Sequence, residues 1–122
     1  MDWKIELIIV PVTDVDRAIR FYVDQAGFTL DHDHTVSDEL RFVQLTPAGS
    51  ACSIAIGTGL TDQAIGPAAI QIVVANVEAA RAELVGRGAE VSEIQHLPWG
   101  HFAFFNDPDG NRWSLQELIP QG

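Results

Sequence analysis

Residues 105–111 read Phe105-Asn106-Asp107-Pro108-Asp109-Gly110-Asn111, and this stretch organises the reading of the whole chain. Within it, Asp107-Pro108-Asp109-Gly110 specifies a turn: proline presets φ, and glycine takes the positive φ that precedes a following strand. The two carboxylates can bond nearby backbone N–H groups, which accounts for them without chemistry. A tetrad of the same form, Thr46-Pro47-Ala48-Gly49, lies in the first half of the chain. Each is followed by a short apolar run that reads as a strand, residues 52–56 after the first and 112–117 after the second.

The segments before the two tetrads also correspond. Residues 5–10 and 70–74 are apolar strands. Asp14 and Asn76 follow them as N-caps, and residues 15–23 and 77–85 carry apolar side chains at helical spacing. Gly27 and Gly88 end the two helices. Strands are then expected over 28–36 and 40–45 in the first half, and over 90–95 and 102–105 in the second. The chain is an internal duplication of strand-helix-strand-strand-strand, divided near Gly66-Pro67. The expected fold class is α+β: one domain over residues 1–122, built of two βαβββ modules (1–64 and 67–120). Each module is a curved mixed sheet with a helix on its convex face. Two such cups set together would enclose a groove.

Composition narrows the function classes. At 122 residues, 47% hydrophobic and 20% charged, the chain suits a globular domain with its own core. Seventeen acidic against seven basic side chains give a net charge of −10. That field repels nucleic acid, and no basic cluster with interleaved aromatics offsets it. It favours cationic ligands. No apolar run approaches membrane-spanning length, and Met1-Asp2-Trp3-Lys4 begins no signal peptide. The lone Cys52 excludes an internal disulfide and fits a reducing cytoplasm, where it reads as a small core residue.

The run Val12-Thr13-Asp14-Val15-Asp16-Arg17-Ala18-Ile19-Arg20-Phe21-Tyr22 resembles the opening helix of the glyoxalase/bleomycin-resistance/dioxygenase (vicinal oxygen chelate) superfamily, and residues 105–111 resemble the turn before its last strand. The resemblance implies four metal-ligand positions, on the first and last strand of each module. Carried onto this chain they fall on Leu7, Ala55, Ala69 and Ser114. Leu, Ala and Ala offer no lone pair, and serine is a poor ligand for a divalent ion. The expectation is therefore no metal and no cofactor. His32 and His34 share a strand face, but no third ligand accompanies them.

Strand alternation from those four positions predicts the rest of the concave lining. Leu7 brings Ile5 and Ile9, Ala55 brings Ser53, Ala69 brings Gln71 and Val73, and Ser114 brings Arg112 and Gln116. The resemblance adds Phe102 and Phe104 to the same face, either lining a pocket or filling it. The helix side should carry Ile8, Val10, Ile54, Ile56, Ile70, Ile72, Val74, Trp113 and Leu115. His96 and His101 bracket an expected loop, Leu97-Pro98-Trp99-Gly100, with Trp99 at the mouth of the groove. His101 is the candidate proton acceptor. The leading expectation is a metal-independent protein similar to the bleomycin-resistance branch, holding an apolar or aromatic ligand. The alternatives are an isomerase, lyase or cofactor-free oxygenase with a histidine base, and a metal enzyme with relocated ligands. The resemblance also implies a homodimer.

Overall fold

A computed structural model describes residues 2–62 and 68–119. They form two compact units, one in each half of the chain. The Gly66-Pro67 boundary read from the sequence lies outside the described residues.

The first unit runs β1 (Leu7–Ile9), α1 (Val15–Arg20), β2 (Thr29–Ser37), β3 (Leu40–Thr46) and β4 (Ser53–Thr58). Its sheet has the order β1-β4-β3-β2, with β1 parallel to β4 and the other pairs antiparallel. Asp14 caps α1, its Oδ1 accepting from the Arg17 N–H at 3.0 Å. The helix expected through residue 23 changes pitch instead. Residues Phe21–Gln25 are π-helical, closed by the Ala26 N–H donating to the Phe21 carbonyl at 3.0 Å. This wider turn holds Tyr22 fully buried, stacked on Phe28 at 5.4 Å.

On the helix side, Val43, Leu45, Ile54 and Ile56 are buried. Arg41 lies on the same face, donates bidentately to Asp33 on β2 (3.0 and 2.9 Å), and reaches Asp16 of α1 at 3.0 Å. These hydrogen bonds hold the Asp33 carboxyl below its ordinary value of 3.8 and the Arg41 guanidinium above its ordinary range. Ile8 departs from expectation. It belongs to the helix-side set but is 43% exposed. β1 is a three-residue edge strand, and the short α1 packs mainly on β4.

The second unit repeats the plan: β5 (Ala69–Val73), α2 (Val77–Gly86), β6 (Gln95–Leu97), β7 (Gly100–Asn106) and β8 (Arg112–Leu118). Its order is β5-β8-β7-β6, again with the first strand parallel to the last. Asn76 caps α2, accepting from the Ala79 N–H at 2.9 Å. The helix packs on β7 and β8, where Ala103, Phe105, Trp113 and Leu115 are buried. The Asp107 turn forms as the sequence implies. Asp107 Oδ1 accepts from the N–H groups of Asp109 (2.9 Å) and Asn111 (2.8 Å), while Oδ2 accepts from Asn111 Nδ2 at 2.8 Å. Asn111 is 1% exposed, and its Oδ1 accepts from the Ala68 N–H at 2.9 Å, tying the turn to the entry of β5.

The strand expected over residues 90–95 is the main departure. β6 begins only at Gln95: the Ser92 N–H still donates to the Phe104 carbonyl at 2.9 Å, but side chains take the neighbouring ladder groups. Arg81 Nε donates to the Ser92 carbonyl at 2.7 Å, and Nη2 donates to the Val91 carbonyl at 3.3 Å. Ser92 Oγ in turn accepts from the Phe104 N–H at 2.9 Å. Arg81 thus pins the segment that leads into β6.

Candidate functional site

Each sheet has a second face, turned away from its helix, and the register fixes which side chains it carries. On the second unit, Ala69 pairs with Arg112, Gln71 with Ser114, and Val73 with Gln116. Phe104 pairs with Ser114 and Phe102 with Gln116. Residues directly opposite one another share a face, so the predicted set Ala69, Gln71, Phe102, Phe104, Arg112, Ser114 and Gln116 is brought together.

The two phenyl rings lie nearly parallel (5°) with centroids 6.2 Å apart. They do different jobs. Phe102 is buried, whereas Phe104 helps line an open hollow of about 270 Å³ with Ala69, Ile70, Gln71, Arg112 and Ser114. The Arg112 guanidinium lies over the Phe104 ring, 4.3 Å from its centroid.

The amides on this face form a directed relay. Gln116, 8% exposed, donates from Nε2 to the Trp99 carbonyl at 3.4 Å. Its Oε1 accepts from Gln71 Nε2 at 2.5 Å, and Gln71 Oε1 accepts from Ser114 Oγ at 3.2 Å. Gly100 leaves room for the first link, since a Cβ there would lie a tight 3.0 Å from Gln116 Nε2 and from the Glu117 carbonyl.

On the first unit, Leu7 pairs with Ser53 and Ile9 with Ala55, so these four predicted residues also share a face. Ser53 and Ala55 are buried there. Strand β3 adds Gln44 opposite Ala55, which the sequence reading did not include. Gln44 Nε2 donates to Ser53 Oγ at 3.2 Å, Thr46 Oγ1 lies 2.6 Å from Ser53 Oγ, and Thr46 also bonds the Asp31 carboxylate. The turn at Pro47-Gly49 carried the missing signal, because it makes a hairpin of β3 and β4 and so fixes the facing of Gln44 and Thr46. His32 and His34 lie opposite Gln44 and Phe42, with exposed side chains and ring centroids 5.6 Å apart.

The other two histidines do not flank a loop. Leu97 pairs with Gly100, leaving Pro98 and Trp99 as a two-residue turn, with Trp99 59% exposed. His96 and His101 face each other across this hairpin, Nδ1 to Nδ1 at 2.7 Å. Alternation puts His101 on the helix side of β7, beside Glu117 and the start of α2, and opposite to Phe102 and Phe104. Among the described residues, no group of three or more His, Cys, Asp or Glu side chains could hold a metal ion. Leu7, Ala55, Ala69 and Ser114, at the positions where the family resemblance expects ligands, do not fit one.

The model of the Glyoxalase/Bleomycin resistance protein/Dioxygenase superfamily matches residues 4–115. The chain belongs to this superfamily. Among solved structures, the superfamily protein is similar to TnmS3, an antibiotic binding protein from Streptomyces sp. CB03234. The two are 31% identical with a TM-score of 0.84, over 97% of this chain and 98% of that one. A glyoxalase/bleomycin resistance protein from the same Streptomyces strain is 32% identical with a TM-score of 0.78, covering 93% and 99% of the two chains. YetH of Bacillus subtilis (strain 168) is 25% identical over 117 residues, which is 93% of this chain and 98% of YetH. The two four-stranded mixed sheets with one helix each are the βαβββ modules of the superfamily. No described helix is long and apolar enough to cross a membrane.

Proposed function

We propose that the protein binds a small apolar or aromatic molecule without a metal or other cofactor, using the face of the second module that carries Phe104, Gln71 and Ser114. One observation carries this reading: the superfamily's ligand positions in that module hold Ala69 and Ser114, and beside them lie an aromatic ring and an oriented amide relay around an open hollow. Apolar surface supplies affinity there and the amides supply orientation. Polarising a carbonyl would need a metal or a denser set of donors. The antibiotic binding named for TnmS3 supports the same class of function. His101 takes no part in this reading, because it faces the other side of its strand.

The test is a thermal-shift screen of aromatic antibiotics and metabolites, with metal analysis of protein purified without added ions. The expected result is a ligand that raises the melting temperature with the logarithm of its concentration, a shift abolished in Phe104→Ala. Stoichiometric zinc, iron, nickel or manganese in the purified protein would overturn metal independence.

We further propose a cytoplasmic homodimer. Superfamily membership, the exposed Trp3 and Ile5, and the single cysteine support it. Sedimentation that returns a monomer at micromolar concentration would exclude the dimer.

A further inference from the structure

We propose that Arg112 makes the second module's open face selective for planar aromatic ligands bearing an anionic oxygen, a carboxylate or a phenolate, over aromatic cations. This inference rests on the reading of that face as a small-molecule site, and it reverses the ligand charge that the net charge of −10 suggests.

Arg112 has no acidic partner among the described residues. Ion pairs among the described residues engage Arg41, Arg81 and Arg87, and none engages Arg112. Its backbone N–H donates to the Ala68 carbonyl at 2.8 Å, which anchors the strand but uses no guanidinium donor. With 17 carboxylates against seven basic side chains in the chain, a cation without an acidic partner is a local reversal of the field.

The guanidinium is also oriented. Its carbon sits 4.3 Å from the Phe104 centroid, in the same hollow as Gln71 and Ser114. With its carbon over the ring and no acidic side chain paired to it, the guanidinium keeps N–H donors for a ligand, and that fork matches a carboxylate.

The relay commits the Ser114 hydroxyl hydrogen and one of the two Gln71 amide hydrogens. Ser114 has one hydroxyl hydrogen, and it is directed at Gln71 Oε1. One lone pair of the Gln71 carbonyl is thereby taken, while one Gln71 N–H is given to Gln116. What remains toward the hollow is an acceptor oxygen on Ser114, one lone pair and one amide hydrogen on Gln71, and, as the one charged group, the fork of Arg112. An anionic oxygen therefore meets Arg112, with its aromatic body against Phe104. An aromatic ammonium would bring its charge to the same cation.

Titration calorimetry of the full chain with 2-naphthoate, 2-naphthylmethanol and 2-naphthylmethylammonium tests this. The naphthoate is expected to bind at least about tenfold more tightly than the ammonium, with the alcohol between them. High salt should shrink the difference, because the hollow is open to solvent. In Arg112→Gln the affinities for naphthoate and alcohol should converge, whereas Arg112→Lys should keep the order. Equal or tighter binding of the ammonium, or an unaltered order in Arg112→Gln, overturns the inference while leaving aromatic binding in place. If none of the three binds saturably, the reading of the face as a site fails, and the inference fails with it.

Discussion

At the scale of single residues, the chain assigns its buried polar groups to structure and its free ones to the open face. Asp107 and Asn111 show the first case: four hydrogen bonds of 2.8–2.9 Å join them to each other, to Asp109 and to Ala68. Asp107→Ala leaves the buried Asn111 amide and backbone N–H groups without their acceptor. It should lower unfolding free energy by about 2–3 kcal/mol, measured by urea denaturation. Asp33 gives a pH prediction with a definite sign. Its folded carboxyl titrates below 3.8, so its ion pair with Arg41 stabilises the protein fully above that value. The contribution is lost as pH falls through the lowered folded value. Asp33→Asn should therefore flatten the acid limb of the stability profile and change little near neutrality beyond a constant offset.

Local signals survive at the scale of elements, and tertiary hydrogen bonds explain most of what the sequence did not disclose. Asp14 and Asn76 announce both helices, and both caps form. Asn76→Ala should cost about 1 kcal/mol of stability and Asn76→Asp far less, by thermal melts of both variants. The faces of β5 and β8 were legible as well, because alternation is strict and the Pro-Gly tetrads set the starting points. Residues 90–94 were not. The run Glu90-Val91-Ser92-Glu93-Ile94 reads as a strand by its place in the repeat, but an arginine from α2 takes the Ser92 and Val91 carbonyls, and no local pattern announces that contact. Arg81→Ala should destabilise by about 1–2 kcal/mol. It should also speed amide exchange at Phe104, whose N–H is held by Ser92. The histidine pair was misplaced for a related reason. Pro98-Trp99 closes a two-residue turn, so positions expected on a loop became strand positions with a fixed facing.

At the scale of the whole molecule, electrostatics and chain path dominate. With a net charge of −10, self-repulsion opposes compaction, and added salt screens it. The melting temperature should rise between low and moderate sodium chloride, and a fall over that range would contradict this account. Superfamily membership was legible from two short motifs set in a duplicated frame. Ligand chemistry was not, because it depends on which way two amides, one hydroxyl and one guanidinium point. The parallel pairing of first strand with last, β1 with β4 and β5 with β8, has a further consequence. The polypeptide enters each sheet at one end and departs at the other, like thread through a bead. A gene fragment encoding such a bead can be copied in tandem without rewiring either copy, which is the physical ground for the echo heard between the two halves of this chain.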